Sequence, residues 1–264
     1  CTGSLALPAI PGVLSWFVYA IVLVFLFCPL HEVIHETAFA SRPANRVVGF
    51  LLGLVLLLPP RYFRAFHMTH HRYTQDPERD PELISPKPSG LWQYIHHISG
   101  FPFWLGQARV IVRNAFGDFD EFVPVSQRGA LVFEARLYLI IYALAIAISL
   151  VVGSTALWWY WVVPVLLGQP FLRLFLLAEH TGCPLERSMF SNTRTTLTNA
   201  VMRRLCWNMN FHTEHHAYAG IPFHRLPESH VLLRGHLRNI GQGYVRVNRT
   251  ILQNVVAGNE IRSM

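Results

Sequence analysis

The chain alternates long uncharged stretches with compact polar ones, and the lengths of the uncharged stretches set the expected architecture. Val13 to Leu30 carries no charge, and a helix of roughly 20 apolar residues is what a bilayer core requires. Trp16 and Tyr19 near its start suit the membrane interface, and Pro29 disturbs the helix just ahead of a polar run. Val47 to Leu58 is equally apolar but reaches only about 18 Å as a helix, too short for a core of about 30 Å. With Pro59-Pro60 ending it, it predicts a segment that dips into the membrane and returns. Leu137 to Leu172 is free of charge and broken at Gly153-Ser154-Thr155. It predicts two spanning helices, about 137–152 and 156–177, joined by a tight outer turn and bent in the second at Pro164 and Pro170. Leu91–Phe116 mixes Trp92, Phe101, Phe103 and Trp104 with His96, His97, Arg109 and Arg113, which suits a helix lying in the interface.

The predicted fold is therefore all-α. It is a single integral membrane domain over residues 1–264, with spanning helices at about 13–30, 137–152 and 156–177, and a re-entrant segment at about 47–58. Interfacial helices and a polar, histidine-rich cap at 61–128 and 180–264 complete it. Pro8, Pro11 and Gly12 predict a turn, so Cys1–Ala6 reads as the tail of a preceding helix, with the native N-terminus expected upstream of Cys1.

Composition agrees with a membrane protein: 52% of residues are hydrophobic and 14% charged, against about a quarter charged in soluble domains. The net charge of +7 resembles a nucleic-acid signal until its distribution is considered. Every Lys and Arg lies at or after Arg42, and none falls between Leu137 and Leu172. Basic residues kept off the spanning segments follow the positive-inside rule and predict a multi-pass protein of a bacterial inner membrane, with its cap in the cytoplasm. No RNA-binding motif or zinc-finger spacing supports a nucleic-acid partner. Cys1, Cys28, Cys183 and Cys206 form no CxxC pair and read as packing residues or free thiols.

The chemistry lies in the polar stretches. His31-Glu32-Val33-Ile34-His35, His67-Met68-Thr69-His70-His71 and His212-Thr213-Glu214-His215-His216 hold eight of the fourteen histidines. Residues three and four apart share a helix face, so an HxxHH run is expected to aim three imidazoles at one spot and HxxxH two. Imidazole is a common ligand of first-row metals. His180 follows the hairpin at 137–177, which by its parity returns to the face of the first two clusters, and becomes the ninth candidate. Nine imidazoles overfill one ion and suit a pair. Glu32, Glu36, Glu179 and Glu214 adjoin candidate ligands, and Asp76 and Asp80 follow the second cluster. These carboxylates are expected to orient imidazoles by accepting their second N–H, with direct ligation left open. His224, His230 and His236 read as surface residues.

The three clusters in this order, two before a membrane hairpin and one after it, resemble the membrane fatty acid desaturase superfamily. Asn210 to Tyr218, continuing to Ile221-Pro222-Phe223-His224, is similar to the third histidine box of bacterial members. The resemblance runs from about Leu14 to Arg238. It implies a non-haem centre of two iron ions that uses O2 and two electrons to attack an unactivated C–H bond of a fatty acyl or other hydrocarbon chain, by desaturation or hydroxylation. Members resembling acyl-CoA desaturases carry Asn four residues before the histidine matched by His180. Leu176 stands there, so a strict acyl-CoA desaturase assignment does not carry over. No cytochrome b5-like His-Pro-Gly-Gly segment is present, which implies a separate electron donor such as a ferredoxin or a cytochrome b5-like protein, steered by the basic face.

Two other classes compete. His31-Glu32-Val33-Ile34-His35 matches HExxH, the zinc-peptidase pattern in which Glu is the general base, but a peptidase leaves both HxxHH clusters unexplained. A metal transporter uses histidines too, yet transport sites lie near the bilayer midplane and these clusters fall at helix ends. Metal content separates peptidase from oxidase, and metal flux without O2 consumption would favour a transporter.

Overall fold

A computed structural model of the protein describes residues 10–85 and 87–258. The proposed tail of a preceding helix at Cys1–Ala6 and the turn residue Pro8 lie outside these residues. Helix α1 (Ile10–Phe25) starts before Pro11 and Gly12, so those two residues begin a helix rather than make a turn. Proline is tolerated in a first helical turn, where its missing N–H has no intrahelical partner to lose. The chain breaks at Leu26 and resumes as α2 (Phe27–Ile34). The break lies one turn ahead of Pro29 because the proline ring removes the hydrogen bond to the Phe25 carbonyl and crowds it. The Leu30 N–H then restarts the ladder by donating to Leu26 O at 3.1 Å.

Helix α3 (Arg42–Leu56) starts earlier than the apolar run because Ser41 caps it, its side chain accepting from the Ala44 N–H. It ends at Leu57, whose φ of +52° is left-handed. Helix α4 (Pro60–Tyr73) leaves at 96° to it. A helix that stops among apolar side chains strands its last carbonyls, which costs free energy unless they are paired. Here Tyr142 Oη donates to Leu54 O at 2.9 Å and Trp161 Nε1 to Val55 O at 2.7 Å, while Tyr138 Oη adds a bond to Phe50 O, a turn further back, at 2.8 Å. The bend thus has its backbone satisfied from elsewhere in the chain, and α4 carries His67 back to a ring separation of 4.3 Å from His31.

Helices α5 (Leu91–Ile98) and α6 (Phe101–Ala115) follow, with Leu91, Trp92, Ile95, Phe101 and Leu105 exposed. The long α7 (Arg128–Val152) begins nine residues before the uncharged stretch. Its buried Glu134 accepts from the Arg61 N–H and pairs with the Arg61 guanidinium, and Arg136 donates to Ala115 O. Gly153, at φ +64°, closes α7, and a π-helical turn at Trp158–Val162 leads into α8 (Val163–His180). The two members of this hairpin separate, α8 packing along α1 and α7 along α6. Among the described residues three helices are long and apolar enough to cross a membrane, Gly12–Ile34, Val125–Val152 and Trp158–His180, or four if α3 and α4 form one broken span.

The cap contains α9 (Met189–Asn192), β1 (Arg194–Leu197), α10 (Ala200–Leu205), α11 (His212–Ala217), α12 (Leu226–Leu233), β2 (Asn239–Gln242) and α13 (Tyr244–Ala257). The fold is all-α apart from β1 and β2, which pair in parallel with Thr195 opposite Ile240. Helix α11 is only six residues long, and Trp207 and Asn208 ahead of it adopt left-handed φ of +50° and +57°. So short a helix has little stability of its own. Strand β1 supplies it: Thr196 N–H donates to Asn210 O at 2.8 Å, Asn210 Nδ2 donates to Thr196 O at 3.1 Å, and Thr213 Oγ1 donates to Thr193 O at 3.0 Å.

Candidate metal centre

Four elements deliver the nine imidazoles. Helix α2 and its C-terminal residue bring His31 and His35, α4 brings His67, His70 and His71, α8 ends on His180, and α11 carries His212, His215 and His216. They assemble into two groups whose nitrogen atoms lie within 4.8 Å of one another: His31, His35, His67, His71 and His215 in one, His70, His180 and His216 in the other. His212 adjoins the second, its Nε2 3.2 Å from His180 Nε2.

This division corrects the expectation that each HxxHH run aims at a single spot. The i and i+4 rings of α4, His67 and His71, meet with Nε2 atoms 3.0 Å apart, while His70 turns to the other group. In α11, His215 joins the first group and His216 the second, with ring centroids 5.9 Å apart. Adjacent helical residues diverge by about 100°, so each HxxHH run straddles two centres rather than filling one.

Hydrogen bonds at Nδ1 assign the ring protons in the second group. His70 Nδ1–H donates to Asp80 Oδ1 at 2.9 Å and His180 Nδ1–H to Asn192 O at 3.2 Å. The Thr74 hydroxyl is already donated to His70 O at 2.7 Å, so its oxygen accepts from His216 Nδ1–H at 3.1 Å. Each ring therefore directs an Nε2 lone pair inward. The first group is held differently: both nitrogens of His31 and His215 and Nε2 of His35 are buried without a hydrogen-bond partner, as is His216 Nε2 of the second group. Buried polar atoms without partners are uncommon and costly. A cluster of them, on rings that when neutral each offer one lone pair, fits a pair of divalent metal ions.

Of the expected carboxylate partners, two touch a candidate ligand. Asp80 accepts from His70 and also from the Gln75 and Glu82 N–H groups at 2.8 and 2.9 Å, so one buried carboxylate sets both the ring and the loop that follows it. Glu179 Oε1 lies 3.5 Å from His212 Nδ1. Glu36 turns outward to Arg42 and Arg46, and Asp76 to Arg79, because those guanidinium groups are the nearer charges. Glu32 Oε1 accepts from the Phe223 N–H at 3.0 Å, the wrong direction for the general base of a peptidase. Glu214 is buried between Thr195 Oγ1 and His230 Nδ1, so His230 orients the third cluster from behind and is not the surface residue expected. Thr74, Asn192 and His230 carry no motif, and spacing alone could not have found them. Glu82 Oε2 lies 3.4 Å from His70 Nε2, and its Oε1 accepts from Lys87 Nζ at 2.5 Å. Burial would raise this carboxyl, but Lys87, with His70 and His180, holds it well below the usual carboxylate range.

A cavity of about 370 Å³ lies against the imidazoles, walled by Phe27, Phe63, Phe66, Phe103 and Phe175, with His31, His67, His70 and His212 on the metal side.

A family model described as fatty acid desaturase matches residues 8–248. The chain belongs to the fatty acid desaturase family. The family supports an oxidoreductase of the membrane with a lipid substrate. Among relatives of this family member, it is 25% identical to an sn-1 oleoyl-lipid 12-desaturase of Picosynechococcus sp., over 83% of this chain and 68% of that one. It is 27% identical to the dihydrorhizobitoxine desaturase of Bradyrhizobium elkanii, over 79% and 66%. It is also 27% identical to a sphingolipid delta(4)-desaturase of Drosophila melanogaster, over 77% and 60%. The chain thus spans about two thirds of the length of these relatives.

Two predictions follow from how the family member's rings are held. Replacing Asp80 by Asn leaves the size but puts an amide beside His70 Nδ1–H, and metal affinity is expected to fall by about 10–100-fold, read by titration against a competing chelator. In the cap, burial and neighbouring imidazoles push His212, His215 and His216 well below 6.5. With these pKa values depressed in the folded state, the unfolded chain binds more protons, so stability is present above about pH 6.5 and is lost as pH falls below it. The metal-free protein is expected to melt at progressively lower temperature between about pH 7 and pH 5; a flat profile would show that the rings do not stay neutral.

Proposed function

We propose that this chain is a membrane-bound oxidoreductase in which His31, His35, His67, His70, His71, His180, His212, His215 and His216 hold two iron ions. The reaction proposed is O2-dependent attack on a C–H bond of a fatty acyl or other hydrocarbon chain. The observation that carries the reading is the convergence of nine imidazoles in two adjoining groups against an aromatic-walled cavity. When bound, the iron pair would supply O2 activation and removal of hydrogen from an unactivated carbon.

The residues of the chain supply placement and exclusion. Phe27, Phe63, Phe66, Phe103 and Phe175 present an apolar wall that favours a hydrocarbon chain over water. Asp80, Asn192 and Thr74 hold the ring tautomers, so the donors are arranged before substrate arrives. The convergence of all four ligand-bearing elements on one site supports a centre on one side of the bilayer. The basic cap supports a cytoplasmic side in a bacterial inner membrane and suits an acidic electron carrier such as a ferredoxin or a cytochrome b5-like protein. The relatives named as desaturases favour desaturation over hydroxylation.

The test is lipid mass spectrometry on cells expressing the chain with and without O2, beside a His215→Ala control. A new product lighter by two hydrogens supports desaturation, and one heavier by an oxygen atom supports hydroxylation. Lipids and hydrocarbons identical to the control under air, from protein shown to carry iron, would overturn the reading.

A further inference from the structure

Glu82 is the carboxylate in this site that no motif singles out, and its placement has a chemical consequence. His70 Nδ1–H donates to Asp80, which turns the ring's Nε2 toward Glu82 Oε2 at 3.4 Å. Donors bound cis to one ion through bonds of about 2.1 Å lie about 3 Å apart, close to the separation seen. Lys87 occupies only Oε1 and leaves Oε2 free. The backbone is set for the contact as well: Asp80, which orients His70, also caps the turn Pro81–Ile84 through the Glu82 N–H. The second imidazole group contains three ring nitrogens with His212 alongside, leaving room for an oxygen donor on an ion that takes about four to six ligands.

We propose that Glu82 is a direct metal ligand, giving the ion held by His70, His180 and His216 an oxygen donor and making the two metal positions chemically unlike. This rests on the di-iron reading. The half-buried carboxylate faces the cavity that also touches Leu176, Glu179 and His212, so the oxygen donor lies on the substrate side. Its negative charge lowers the net charge of that ion's shell, and Lys87 holds its other oxygen in place.

The experiment uses the full chain in detergent, stripped of metal and titrated with ferrous iron, with affinities from chelator competition and Mössbauer spectra of the loaded protein. Wild type is expected to bind two irons with two distinct quadrupole doublets. Glu82→Gln keeps the shape but removes the anionic donor, and is expected to weaken one of the two sites at least about tenfold and to shift one doublet only. Glu82→His, which restores a donor, is expected to recover most of that affinity. Lys87→Met leaves the carboxylate and is expected to retain both irons. Two irons in Glu82→Gln, with unchanged affinities and spectra, would overturn the proposal while leaving the di-iron reading intact. A wild type that binds fewer than two irons would overturn both. The melting temperature of each metal-free variant separates ligand loss from misfolding.

Discussion

Replacing His215 by alanine is expected to lower product formation by more than about 100-fold and to remove at least one iron per chain. The ring is fully buried and lies in the group of five, with centroids 4.7 Å from His31, 4.6 Å from His35 and 4.8 Å from His71. Neither of its nitrogens has a hydrogen-bond partner, which leaves the ring free to bind a metal ion. Loss of a residue that only supports a ligand costs about 10–100-fold in affinity, and loss of a ligand exceeds that. His96, exposed on α5 and outside both groups, provides the comparison: His96→Ala should retain iron and activity. Iron content by elemental analysis and turnover on the identified lipid read the outcome. Full iron and near-normal turnover in His215→Ala would remove His215 from the centre.

The second large effect lies away from the imidazoles. Gly168→Val is expected to destabilise the protein by about 3 kcal/mol, the upper part of the range for overpacking, and to abolish iron binding with it. A Cβ at Gly168 would stand 2.3 Å from the Ala20 carbonyl oxygen and 2.8 and 2.9 Å from the Val24 methyls. The backbone of α1 cannot rotate aside as a flexible side chain would, so the helices must separate. Small residues allow such close crossings in membranes, where dispersion and packing hold helices together. The crossing bears directly on the centre, because α1 leads through α2 to His31 and α8 ends on His180. Gly168→Ala brings the same Cβ with less bulk and should fall between wild type and Gly168→Val. Equal thermal stability of all three in detergent would show that the crossing tolerates the added carbon.

Local pattern was enough for the parts of this protein that depend on composition along the chain. Uncharged length marked the spans, Pro29 and Pro59-Pro60 marked the breaks, and the helical spacing of histidines marked the metal chemistry. Parity of the hairpin pointed to His180. These features are readable because a helix repeats every 3.6 residues and a bilayer sets one length. Other properties depend on which distant atoms meet. The division of each HxxHH run between two groups follows from how α4 and α11 approach α2 and α8. Asp80 pairs with a histidine while Asp76 pairs with Arg79, although both lie in the same acidic loop. Tyr138, Tyr142 and Trp161 satisfy the carbonyls of α3 from more than 80 residues away. Periodicity assigns a side chain to a face, whereas a hydrogen bond or a metal ligand needs a position within a few tenths of an ångström, and only the packed chain decides that.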